Sequence, residues 1–147
     1  MPIWTKEITK ELLMEKSQNT LLTHVGIEYV EIGDDYLVAK MPVDERTIQP
    51  YGIMHGGASC VLAESVGSMA SNCCVDPETH HCVGLSINTN HISAVKKGFV
   101  FGKAVPIHLG QSTQVWEINI RSDSDRLVSV TRLTMAVLKR KNYMAKS

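Results

Sequence analysis

The stretch HGGASCVLAESVGSMASNCC, His55 to Cys74, decides how the rest of the chain is read. Residues 56–74 are rich in Ala, Ser, Gly, Val, Leu and Met and are far too long for one strand, so they predict a helix. Asp76-Pro77 supplies its stop. Between Gly52 and Val75, Glu64 is the one charged residue apart from His55. Its neighbours Val61, Leu62, Ala63, Val66 and Met69 are apolar, and a helix so composed is expected to be mostly buried. A buried carboxylate is costly unless it is paired or protonated, and no Lys or Arg stands three or four residues away. Glu64 is therefore a candidate catalytic base or nucleophile, with Ser68 one turn on to hydrogen-bond it. The plainer alternative puts Glu64 on a wetted helix stripe near Ser68 and Ser71, with no catalytic task.

The start of the helix favours the catalytic reading. His55-Gly56-Gly57 stands where the first backbone N–H groups lack intrahelical partners and carry partial positive charge. Such groups bind an anion or a developing oxyanion, and glycine lets a substrate approach them closely. Tight helix–sheet packing would also explain the glycines, but Gln49 upstream and Glu64 downstream strengthen the case for a site. Eight residues separate Gly56 from Glu64, a rise of about 12 Å along one helix. One reacting carbonyl needs both groups within about 3 Å. If both act on one substrate, they belong to two copies of the helix, and the site lies at a homodimer interface with two equivalent sites.

Working outward, residues 8–17 suggest a short surface helix with Thr9 as N-cap, and 25–31 and 36–43 read as strands around the turn Gly33-Asp34-Asp35. Four more strands are expected at 82–92, 98–107, 114–121 and 127–139. The third of these alternates, with Val115, Glu117, Asn119 and Arg121 on one side and Trp116, Ile118 and Ile120 on the other. Ser122-Asp123-Ser124-Asp125 then turns the chain into an antiparallel hairpin. The fold class is α+β, one long helix packed on an antiparallel sheet. No repeat or linker divides residues 1–147, so a single domain is expected. The tail from Lys139 to Ser147 is basic and expected to fray.

Composition narrows the function classes. Fifteen basic and fifteen acidic residues cancel, which gives no reason to expect nucleic acid or an anionic membrane as partner. No apolar run approaches the roughly 20 residues of a membrane span, and the first sixteen residues lack the apolar core of a signal peptide, so a cytoplasmic location is expected. Cys60, Cys73, Cys74 and Cys82 form no CxxC pair and read as free thiols. Cys73-Cys74 with His80-His81-Cys82 fits no zinc spacing, so no metal is expected. No G-x-S-x-G elbow marks a serine nucleophile.

The segment QPYGIMHGGASCVLAESVGSMAS, Gln49 to Ser71, resembles the signature of hotdog-fold acyl-CoA thioesterases. It is most similar to the bacterial group that contains 1,4-dihydroxy-2-naphthoyl-CoA hydrolase and the enterobactin proofreading thioesterase. Residues 41–50, 83–92, 106–118 and 129–138 extend the likeness over nearly the whole chain. The resemblance implies a hotdog fold and hydrolysis of an acyl-CoA, with an aromatic acyl group favoured. Glu64 would attack the thioester carbon or activate water, and the Gly56 N–H would polarise the carbonyl. Gln49 would help place the water or carbonyl, His55 would shape the site, and Ser68 would support the carboxylate. The CoA moiety, part of the substrate rather than a cofactor, would be held by Gly84, by His91, Ile92, Ser93 and Ala94, and by His108, Leu109, Gly110, Gln111, Ser112 and Thr113. Dimers pairing into a homotetramer are implied as well.

The likeness has one departure. Related enzymes often carry a basic residue soon after an Asn-x-x-His stretch; here Asn88 to His91 is followed by Ile92-Ser93-Ala94, and the nearest cations are Lys96 and Lys97. Three rival readings remain at this level: proofreading of an acyl or aryl carrier protein, a non-catalytic acyl-CoA-binding module, and a hydratase or dehydratase on the same fold.

Overall fold

A computed structural model describes residues 1–141 of the chain. The helix expected from residue 56 runs Gly56–Cys73, here α3. Before it come α1 (Lys10–Ser17), α2 (Leu21–His24), β1 (Glu28–Ile32) and β2 (Leu37–Pro42); after it come β3 (His80–His91), β4 (Phe99–Leu109), β5 (Thr113–Ser122) and β6 (Leu127–Lys139). The strands form one antiparallel sheet in the order β1-β2-β4-β5-β6-β3. This is the helix-and-sheet architecture of the hotdog fold.

Local chemistry explains several element boundaries. The Thr9 hydroxyl accepts a hydrogen bond from the Leu12 N–H and caps α1, so Ile8 lies outside the helix. The strand expected from residue 25 begins later. Thr20 caps the short α2, and Gly26 leaves it with φ of 80°, a left-handed turn open to glycine. The start of the basic tail is also more ordered than expected: Lys139 ends β6, and the Arg140 N–H donates to the Thr79 carbonyl at 2.8 Å. Residues 142–147 of that tail lie outside the described part.

The core forms where α3 crosses the sheet. Leu62, Ala63, Val66 and Ala70 are fully buried on the helix, against fully buried Leu37, Ala39, Met41, Val100, Ala104, Trp116, Ile118, Ile120, Leu133 and Met135 from the strands. The alternation expected in β5 is present, with Trp116, Ile118 and Ile120 inward. One polar knot sits within this apolar layer. The side-chain carbonyl of Gln114 accepts from the Ser71 hydroxyl at 2.6 Å and from the Trp116 indole N–H at 2.9 Å.

Strand order has a consequence for α3. Among the described residues β3 pairs with β6 alone, so it forms one edge of the sheet. Its residues from Val83 to Asn88 are exposed, including the apolar Val83, Leu85 and Ile87.

Candidate active site

Residues at positions 56, 60 and 64 stack on one face of α3 because a helix turns once in 3.6 residues. That face lies along β3, and the two elements meet at three levels. A Cβ at Gly56 would stand 3.0 Å from the imidazole of His91. One turn on, the Cys60 thiol donates to the Thr89 hydroxyl at 3.4 Å. At the next level a Cβ at Gly84 would stand 2.5 Å from Oε2 of Glu64. Gly84, which the resemblance associates with CoA, thus lies against the carboxylate.

The first turn of α3 leaves one donor free. His55 is the N-cap, in extended conformation, and its Nδ1 accepts from the Gly57 N–H at 2.8 Å. Its carbonyl accepts from the N–H groups of Ala58 (2.9 Å) and Ser59 (3.3 Å). Among the described residues, the Gly56 N–H has no protein partner. The imidazole of His55 is thus engaged in holding the helix start.

The loop before the helix is pinned on both sides. The N–H groups of His55 and Met54 donate to the Thr47 and Val95 carbonyls, each at 2.8 Å, and the Thr47 hydroxyl donates to the Pro42 carbonyl at 2.7 Å. Within this loop the side-chain oxygen of Gln49 accepts from the Tyr51 N–H, which leaves its amide N–H groups available. Gln49, Gly56, His91, Ile92, Ser93 and Ala94 line one cavity of about 390 Å³. The structure therefore brings Gln49 and Gly56 together with His91 to Ala94, one of the segments that the resemblance associates with CoA.

Glu64 lies in a different cavity, of about 470 Å³, with Ser65, Ser68, Met69 and Asn72 on its helix wall. The expectation that Glu64 is buried is overturned for the single protomer: the residue is exposed. The stripe it belongs to faces an edge strand that has no side chain at Gly84, and among the described residues no element covers it from outside. Ser68 shares the cavity, but among the described residues no hydrogen bond joins it to Glu64. Asn72 is fully engaged: it donates to the Ser68 and Cys82 carbonyls and accepts from the Cys82 N–H.

His108, Leu109, Gly110, Gln111, Ser112 and Thr113 form the end of β4 and the turn into β5, closed by the Gly110 N–H donating to the Thr113 carbonyl at 2.9 Å. They line neither cavity. Lys96 and Lys97 are exposed just beyond the first cavity. Burial pushes the Cys74 thiol up to about 12, and Cys73 and Cys82 add to this in the same direction. Thiols so suppressed are poor nucleophiles.

Sequence reasoning missed the rest of the Glu64 cavity: Lys16, Leu22, Pro77, His80 and Arg140. Helical spacing from Glu64 points to Ser68 and on to Asn72. Nothing local links that stripe to Lys16 or Arg140, which approach it from α1 and from the end of β6.

Comparison with known proteins agrees with this architecture. A family model described as the thioesterase superfamily matches residues 51–129. The 1,4-dihydroxy-2-naphthoyl-CoA hydrolase of Escherichia coli is 46% identical over 92% of this chain and 99% of its own length. The proofreading thioesterase EntH of Cronobacter turicensis is 46% identical over 92% of this chain and 98% of its own. The crystal structure of a thioesterase from Haemophilus influenzae superposes with a TM-score of 0.91 at 44% identity, covering 93% of this chain and 95% of that one.

Proposed function

This chain belongs to the thioesterase superfamily, and on that premise we propose that it hydrolyses an aromatic acyl-CoA thioester to the free acid and CoA. The observation that carries the reading is the pairing of one helix N–H at Gly56, without a partner among the described residues, with one carboxylate at Glu64 on a single open face of α3. A thioester carbonyl is electrophilic and its thiolate leaves readily, so one oxyanion donor and one carboxylate suffice. The Gly56 N–H, at the positive end of the helix dipole, stabilises charge developing on the carbonyl oxygen. Glu64 attacks the carbonyl carbon to form an acyl anhydride, or takes a proton from the attacking water. In the first route water then cleaves the anhydride; in the second the acid forms directly. Gln49, whose amide N–H groups have no partner among the described residues, orients the carbonyl or the water.

The active unit in this proposal is a homodimer. Gly56 and Glu64 of one chain open into separate cavities. A two-fold partner seated along β3 would run its α3 stripe antiparallel to the first, bringing its Glu64 level with the Gly56 end. The exposed Val83, Leu85 and Ile87 on an unpaired edge give that partner an apolar seat. Glu64, open in the protomer, would then be covered. The CoA moiety would pass along His91 to Ala94, where Lys96 and Lys97 can meet its phosphates. The segment His108 to Thr113, absent from both cavities, would come from another subunit of a homotetramer.

Equal identity to the relative named a proofreading thioesterase supports a second reading, release of a misloaded aryl group from a carrier protein. Thiol release from a panel of aroyl-CoA, fatty acyl-CoA and aryl-carrier-protein thioesters tests both. Aroyl-CoA as the best substrate supports the first, aryl carrier protein as the best supports the second, and no release from any thioester overturns both.

A further inference from the structure

The cavity that holds Glu64 is charged at its opposite end. Asn72 lies eight residues beyond Glu64 on α3, a rise of about 12 Å. At that far end Asn72 is bonded to Cys82, and β3 begins at His80, which pairs with Lys139 on β6. Arg140 follows directly, held by its bond to the Thr79 carbonyl. Lys16 approaches the same end from α1, close enough to Cys73 for its charge to act on that thiol. Both cations line the cavity, and among the described residues neither forms a salt bridge. The wall between the two ends is mixed, with Leu22, Met69 and Pro77 beside Ser65 and Ser68, whose hydroxyls have no protein partner among the described residues.

We propose that Lys16 and Arg140 select an acyl group that bears a carboxylate at the end distal to the thioester. This rests on the acyl-CoA reading above, in which the carbonyl lies between Gly56 and Glu64. CoA then leaves along His91 to Ala94, and the acyl group enters the Glu64 cavity. A neutral ring fits the wall but leaves both cations unpaired. A distal carboxylate meets them while staying two helix turns from the Glu64 charge. A pair of cations also suits the phosphates of CoA, so the test separates the two anions.

The test measures dissociation constants by calorimetry for two non-hydrolysable CoA thioethers long enough to span two helix turns, 4-(4-carboxyphenyl)phenacyl-CoA and its neutral 4-(4-carbamoylphenyl)phenacyl twin. The wild type is expected to bind the carboxylate about tenfold more tightly, as charge-assisted hydrogen bonds require. In K16Q/R140Q that ratio is expected to fall to about one, and in Lys16→Arg/Arg140→Lys to persist. Equal affinities in the wild type, or a ratio that K16Q/R140Q leaves intact, overturn the proposal. It is also overturned if K16Q/R140Q weakens both CoA compounds alike and the loss vanishes with phosphate-free pantetheine thioethers, which assigns the cations to CoA. Binding is read without turnover: a carboxylate preference in a protein that releases no thiol would sink the hydrolase reading alone.

Discussion

Gly84 and Glu64 occupy adjoining space: a methyl group on Gly84 would stand 2.5 Å from Oε2 of the Glu64 carboxylate. The absence of a side chain on β3 is therefore what lets the carboxylate lie against the strand. Gly84→Ala should push it aside. Glu64 is exposed, so the displaced side chain finds solvent and stability should change by no more than about 0.5 kcal/mol. Misplacing a reacting group by about 1 Å can cost about 10²-fold in rate. Steady-state kinetics with a thermal melt on the same sample check this. A full rate in G84A would show that the strand does not position the carboxylate.

Replacing Glu64 by Ala should lower kcat at least about 10²-fold, because the proposed nucleophile or base is gone. The fold should hold, since alanine is the best helix former and no hydrogen bond to Glu64 is lost among the described residues. Circular dichroism beside a thiol-release assay reads both. Unchanged turnover would make Glu64 a solvated surface residue.

Gly56→Pro removes one N–H and little else. Position 56 is the first helical residue, where proline is favoured, and His55 already has the extended backbone (φ −65°, ψ 131°) that precedes proline. The imidazole of His91 must shift to admit the ring. A folded protein with turnover reduced about 10²-fold is expected. Co-folding G56P with E64A then tests the shared site. Mixed dimers carry both defects in one site and neither in the other, so about a quarter of wild-type activity should return with random pairing. No recovery would mean that both residues serve within one chain.

The Cys74 thiol sets a pH dependence of stability. Burial lifts it from 9.0 in the unfolded chain to about 12 in the fold, and Cys73 and Cys82 are raised as well. The neutral thiol is the form the fold favours, so this contribution is complete below pH 9. It is lost as the pH rises toward 12, because the unfolded chain ionises first. Urea midpoints measured from pH 8 to 11 should fall more steeply in the wild type than in Cys74→Ala. Parallel curves would contradict the assigned cause.

Gln114→Met should destabilise the fold by about 2 kcal/mol. It leaves the indole N–H of Trp116 and the hydroxyl of Ser71 without their acceptor, and both residues are fully buried. Urea unfolding gives the number, and a change below about 0.5 kcal/mol would show that other acceptors replace the amide.

Much of this architecture is legible in the sequence. The apolar composition of residues 56–74, interrupted by one carboxylate, identified α3 and Glu64, and the alternation around Trp116 oriented β5. The short α2 was missed: a four-residue helix has too little periodicity to stand out, and its clearest marker is the left-handed turn at Gly26. The burial of Glu64 was misjudged because apolar neighbours in sequence do not fix what lies across the gap in space.

Side-chain periodicity and backbone chemistry act over a few residues and survive as pattern, so the long helix, the strands and the family could be read from the residues alone. The place of β3 at the sheet edge beside α3, the approach of His91 to Gly56, and the gathering of Lys16 and Arg140 around the Glu64 cavity exist only in the folded chain. These are contacts between residues tens of positions apart, created by strand order. No local propensity encodes that order; it follows from how the whole sheet buries its apolar face against one helix.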